Sequence, residues 1–142
     1  MRSTTPTVMG GLGTAVLGLL YANYAFGPTE AEVAKWGEVA LVGGIMLVLG
    51  AIVAKRTHSA VVRLVLALGC SAVALLHLPP IVLWGVFHAS GISDGSPPSS
   101  FVAHWAYGLP HLIVAAACLF AAYWLVRRDE APVAGIPPGQ PL

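Results

Sequence analysis

Four long apolar stretches dominate this chain, and short polar runs punctuate them. The apolar blocks cover roughly residues 8–27, 36–54, 61–90 and 101–126. Each is near or above the ~20 apolar residues that carry a helix across ~30 Å of hydrocarbon. Polar and helix-breaking residues collect between the blocks, as in "GPTEAEVAK" and "SGISDGSPPSS". Lipid offers backbone groups no hydrogen-bond partner, so blocks of this length are expected to be helices. The pattern therefore predicts an all-α protein, an integral membrane four-helix bundle.

Composition sharpens that reading. Of 142 residues, 57% are hydrophobic and only 9% charged, where a water-soluble domain carries about a quarter charged residues. A net charge of +1 supplies no basic surface for nucleic acid, so the expected partners are the lipid bilayer and other membrane chains. The first block is preceded by one charge, Arg2, and is followed by no A-x-A site, so it reads as a span and not as a cleaved leader. Arginine outnumbers lysine five to two, with abundant Ala, Gly and Val. That balance suggests a GC-rich bacterial gene and hence the bacterial cytoplasmic membrane.

Basic residues set the expected topology. Arg2, Lys55, Arg56, Arg63, Arg127 and Arg128 fall on one side of a four-span arrangement, and Lys35 falls on the other. The positive-inside rule then places both termini in the cytoplasm. Trp36, Trp84 and Trp105 are expected in the outer aromatic belt and Trp124 in the inner one. Residues 1–128 make a single four-span domain, and the Pro/Gly-rich stretch 129–142 a cytoplasmic tail with nothing to pack into a core.

The chemistry lies inside the last two blocks. An antiparallel hairpin between them pairs His77 with His111, Cys70 with Cys118, and His88 with His104 at matching depths. Angular placement agrees: Cys70 and His77 share a heptad stripe on one helix, and His104, His111 and Cys118 on the other, with His88 within about 20° of His77. Ionisable groups within spans are rare, face the bundle interior and are usually functional. A histidine there also serves as a hydrogen bond between helices, worth ~0.6 kcal/mol.

Proline occurs at the same level. Pro79 and Pro80 remove two successive backbone donors and leave the carbonyls of Leu75 and Leu76 short of partners. Pro110 does the same to Ala106. The third and fourth helices are therefore expected to be kinked beside His77 and His111, with the freed carbonyls facing protein, water or a bound group.

Neutral imidazole suits haem iron and transition metals alike. His77 with His111, and His88 with His104, are thus candidate ligands for a b-type haem. A spacing of ~10–16 Å along the axis at 1.5 Å per residue leaves room for one such group more readily than two. Glu38 with His88 and His104 is a candidate site for a single transition-metal ion. Tyr21, Asn23, Tyr24 and Tyr107 are expected near the same end. Small residues repeat at four-residue spacing in Thr14–Gly18–Ala22, Ala40–Gly44 and Gly50–Ala54, stripes that let backbones approach closely within the bundle or against a partner.

No phosphate loop, Ser/His/Asp triad, CxxC pair or carboxylate pair is present, so catalysis by this chain alone is not expected. Three functions fit: an accessory subunit of a larger membrane complex of respiratory or other redox type; an electron-transfer subunit holding haem or metal through its paired histidines; and an oligomeric small transporter or proton or metal path.

Overall fold

The computed structural model describes residues 3–23, 31–82, 85–86 and 98–127, with side-chain surroundings from residue 34 in the second stretch and from residue 108 in the last. Four helices follow in order: α1 Thr5–Ala22, α2 Ala31–Thr57, α3 Ala60–Leu76 and α4 Pro98–Val126. Four segments, Thr5–Ala22, Ala34–Thr57, Ala60–Val82 and Gly108–Val126, are long and apolar enough to cross a membrane. Among the described residues the secondary structure is all helical, as the hydropathy pattern predicts.

Local chemistry sets the helix ends. Pro6 sits in the first turn of α1, where its missing N–H has no intrahelical partner to lose. At the other end the Asn23 amide donates to the Leu19 carbonyl at 2.8 Å. α2 and α3 are joined by two residues. His58 adopts a left-handed φ of 52° and donates its N–H to Ala54 O at 3.3 Å, the position where a glycine commonly ends a helix. Ser59 then caps α3 by accepting from Val62 N–H at 3.4 Å.

Helices adjacent in sequence pack antiparallel and α4 returns to α1, closing a ring, with α1 and α3 meeting briefly across the diagonal. The closest seam joins α1 to α2 through glycine. A Cβ on Gly44 would lie 2.5 Å from Gly11 O, and one on Gly18 would collide with backbone atoms of Leu41 and Gly37. The small-residue stripes of these two helices therefore serve the bundle interior. Gly50 faces Leu66 of α3, so the third stripe is internal as well.

The bundle is apolar on its outside. Met9, Val16, Val42, Met46, Leu68 and Phe120 are among many large side chains left exposed, while the interior is built of Ala, Leu, Val and the two cysteines. Only 28–39% of each candidate span is buried within the chain. Water would penalise such a surface; hydrocarbon accepts it.

α3 is interrupted before its prolines. The helix stops at Leu76, His77 forms a turn, and helix resumes over residues 78–82. With no N–H on Pro79 or Pro80, His77 N–H bonds back to Ala74 O at 3.2 Å and Ile81 N–H to His77 O at 3.3 Å. The Leu76 carbonyl finds a substitute donor, Trp36 Nε1–H of α2, at 3.0 Å. The expectation that protein would face the break is met at this carbonyl. α4, by contrast, runs as one helix through Pro110.

Candidate functional site

The break in α3 brings His77 against His111 of α4. Both are fully buried, and their Nδ1 atoms lie 2.8 Å apart. Two lone pairs at that distance would repel, so one proton lies between them. The remaining ring nitrogens are also engaged. His77 Nε2 is 3.2 Å from Thr14 Oγ1 of α1, and His111 Nε2 is 2.9 Å from the Tyr21 hydroxyl.

Donor and acceptor roles follow from one fixed point. Thr14 donates its single hydroxyl proton to the Gly10 carbonyl at 2.9 Å, an acceptor that cannot donate. Thr14 Oγ1 must then accept from His77 Nε2–H, which leaves His77 Nδ1 as an acceptor. His111 accordingly donates from Nδ1 and accepts at Nε2 from the Tyr21 O–H. One orientation runs through the whole chain: Tyr21 to His111 to His77 to Thr14 to Gly10 O. Both imidazoles are neutral in this assignment, which suits a site where no counter-ion is close among the described residues.

Trp36 closes the side of this cluster. Its indole packs edge-on against Tyr21 and His111, both at 5.1 Å between ring centres, and against His77 at 5.7 Å. The side chain is half-buried inside the bundle because its N–H is drawn to the Leu76 carbonyl freed by Pro80.

Below the histidines lie the cysteines. Cys70 and Cys118 are both fully buried and free, share one core cluster, and Cys118 Sγ lies against Gly10 of α1, where an added Cβ would come within 2.8 Å of it. The hairpin register joins His77 with His111 as the spacing predicts.

Of the other candidates, only Glu38 has a described side chain, and it does not join this cluster. Glu38 is exposed on α2. His88 lies outside the described residues, and His104 belongs to α4 with its side chain outside the description. Among the described residues no three His, Cys, Asp or Glu side chains gather as a metal site would require. As placed, the His77–His111 pair has no nitrogen unengaged, and 2.8 Å leaves no room for an ion between the rings, since each metal–nitrogen bond takes about 2.0 Å. Ligation of a haem or metal by either ring requires one of these hydrogen bonds to open.

Sequence reasoning passed over Thr14, which it grouped with the small residues of a packing stripe, and read Trp36 and Tyr21 as features of one end. The signal that unites them is spacing: Thr7, Thr14 and Tyr21 repeat every seven residues, as do Cys70 and His77, and His111 and Cys118. Comparison with family models, curated proteins and solved structures returns no match.

Proposed function

We propose that this chain is a multi-pass subunit of the bacterial cytoplasmic membrane, with both termini cytoplasmic, that serves as an accessory component of a larger membrane assembly of redox type. The observation that carries this reading is the closure of the histidine cluster. All four imidazole nitrogens are taken up by protein groups on three helices, so the pair fastens α1, α3 and α4 at one level. Interior polar groups that satisfy one another hold helices where lipid gives no hydrophobic drive to associate. In this reading the interruption at His77 is a kink that turns the ring toward α1 and α4.

An electron-transfer role, with His77 and His111 as ligands of a b-type haem or a metal, is the alternative that the same residues pose. One experiment separates the two. The chain is extracted in mild detergent with its native neighbours, its reduced-minus-oxidised visible spectrum is recorded, and metal is quantified per chain. The accessory reading expects other membrane chains to co-purify, and no haem or metal to follow this chain when it is separated from them. A b-type signal that stays with this chain and vanishes in His77→Ala or His111→Ala would overturn it. Isolation of the chain without any partner, from membranes where it is abundant, would sink the assembly reading.

A further inference from the structure

The hydrogen bonds of the histidine cluster have a direction, and that direction sets a base against a phenol. Thr14 gives its proton to the Gly10 carbonyl at 2.9 Å, which makes His77 a donor to Thr14 and an acceptor from His111. His111 Nε2 is left as a lone pair, 2.9 Å from the Tyr21 hydroxyl. Fastening α1 to α4 does not require that sense, because a histidine donating to the phenol oxygen would join the helices equally well. Tyr21 is 6% exposed and His111 0%, so the phenol meets this nitrogen away from bulk water.

Two oxidisable rings meet at this point, and their polar hydrogens have different acceptors. Trp36 packs edge-on against Tyr21 and against His111, at 5.1 Å between ring centres in each case. Its indole N–H donates to the Leu76 carbonyl at 3.0 Å, and an amide carbonyl is too weak a base to take that proton. The Tyr21 O–H donates to an imidazole, which can take it. Loss of an electron makes a phenolic O–H strongly acidic, so a phenol bonded to imidazole can give up electron and proton together. The indole can give up only the electron. A hole arriving on half-buried Trp36 is therefore expected to move to Tyr21 and stop there.

We propose that Tyr21 is a one-electron redox site, with His111 as its resident proton acceptor and Trp36 as the entry for oxidising equivalents. The oxidant is a one-electron acceptor outside this chain, an oxidised metal centre of a neighbouring subunit. It is reduced by one electron, drawn from Tyr21 through Trp36. The Tyr21 O–H bond breaks as the His111 Nε2–H bond forms, giving a neutral phenoxyl radical beside an imidazolium. No proton leaves the cluster, and one electron returned to Tyr21 reverses both changes. The imidazolium still donates from Nδ1 to neutral His77 at 2.8 Å, and a charge-assisted bond is roughly twice as strong as a neutral one. His77 stays anchored on Thr14, so the buried charge keeps a hydrogen-bonded partner. The natural oxidant rests on the redox-assembly reading, whereas the chemistry at Tyr21 is a property of the chain alone.

The full chain is purified in detergent with Tyr24, Tyr107 and Tyr123 changed to Phe, which leaves Tyr21 as its only tyrosine. Photogenerated tris(bipyridine)ruthenium(III) is the oxidant, and electron paramagnetic resonance with ring-deuterated tyrosine identifies the radical. A neutral tyrosyl radical should form, with a potential that does not change across the neutral pH range because its proton stays on His111. His111→Ala removes the base and should slow radical formation by about 100-fold. A hole that rests on tryptophan with no tyrosyl signal overturns the proposal. So does a potential that falls as pH rises, which would show the proton passing to water, or a formation rate unchanged in His111→Ala. Circular dichroism and monodisperse elution establish that folded proteins are compared. The pH test needs no change at His111, so it decides even where His111→Ala does not fold. None of these outcomes bears on which membrane chains co-purify, so this proposal and the assembly reading fail separately.

Discussion

His77 and His111, on different helices, share one proton between Nδ1 atoms 2.8 Å apart. The contact is fully buried, and the flanking bonds to Thr14 and Tyr21 fix which ring donates. A bond of this kind is often assumed to be strong because no water competes. In membrane bundles the unfolded-in-lipid reference state also finds partners, and measured couplings average about 0.6 kcal/mol with a maximum near 1.7.

A double-mutant cycle between these residues should therefore read a favourable coupling of about 0.6–1.7 kcal/mol. Each single replacement, His77→Ala or His111→Ala, should cost about 1–3 kcal/mol, since it strands the partner's buried nitrogen as well as losing the bond. Reversible unfolding in mixed detergent micelles measures all four corners. A coupling indistinguishable from zero would show that the rings do not bond as described.

Two glycines of the other helix pair, Gly18 of α1 and Gly43 of α2, should respond differently. A Cβ on Gly18 runs into the Leu41 nitrogen and the Gly37 oxygen, backbone atoms that cannot step aside. Gly18→Ala should destabilise by about 1–3 kcal/mol through separation of α1 from α2. A Cβ on Gly43 meets only Val73 Cγ2 at 3.5 Å, an ordinary contact. Gly43→Ala should be neutral, or stabilise by up to about 1 kcal/mol through helix propensity. Equal effects of the two changes would contradict the α1–α2 seam.

Much of this was legible along the chain, for a physical reason. Apolar length marks helices long enough to cross a membrane, and α3 and α4 pack antiparallel, so His77 could be paired with His111 on spacing alone. The third helix to enter the cluster was not legible. Thr14 is small enough to pass for a packing residue, and only the fold turns its hydroxyl onto His77 Nε2. Nor was the bond by which the Trp36 indole N–H reaches the Leu76 carbonyl. The consequence of Pro79 and Pro80 could be foreseen, but the identity of the donor that compensates could not.

The short α2–α3 connection offers a test of backbone conformation. His58 is exposed and holds φ at 52°, a region that costs an L-residue about 1–2 kcal/mol. His58→Gly relieves that cost but gains backbone freedom in the unfolded chain, so a net stabilisation of up to about 1 kcal/mol is expected. His58→Val, β-branched and poorly suited to positive φ, should destabilise instead. Thermal unfolding of the three proteins in one detergent gives the order. Glycine and valine variants of equal stability would mean that the turn is not left-handed.

Trp36 and Pro80 are linked through a carbonyl that belongs to neither. Proline at position 80 deprives Leu76 O of its helical donor, and Trp36 Nε1–H fills the vacancy at 3.0 Å. Trp36→Phe keeps an aromatic ring beside His77 and His111 but removes the donor, leaving a part-buried carbonyl unsatisfied at a cost of about 1–3 kcal/mol. Pro80→Ala restores a backbone N–H four residues after Leu76 and lets α3 continue. In that background Leu76 O has a partner of its own, so Trp36→Phe should cost markedly less. The two changes are thus expected to be non-additive, with the double variant more stable than the sum of the single effects. Strict additivity would mean that the indole N–H and the proline do not act on the same oxygen. The same pair bears on the cluster: a continuous α3 turns residue 77 to a different bearing, so Pro80→Ala should also weaken the His77–His111 coupling even while it repairs the helix.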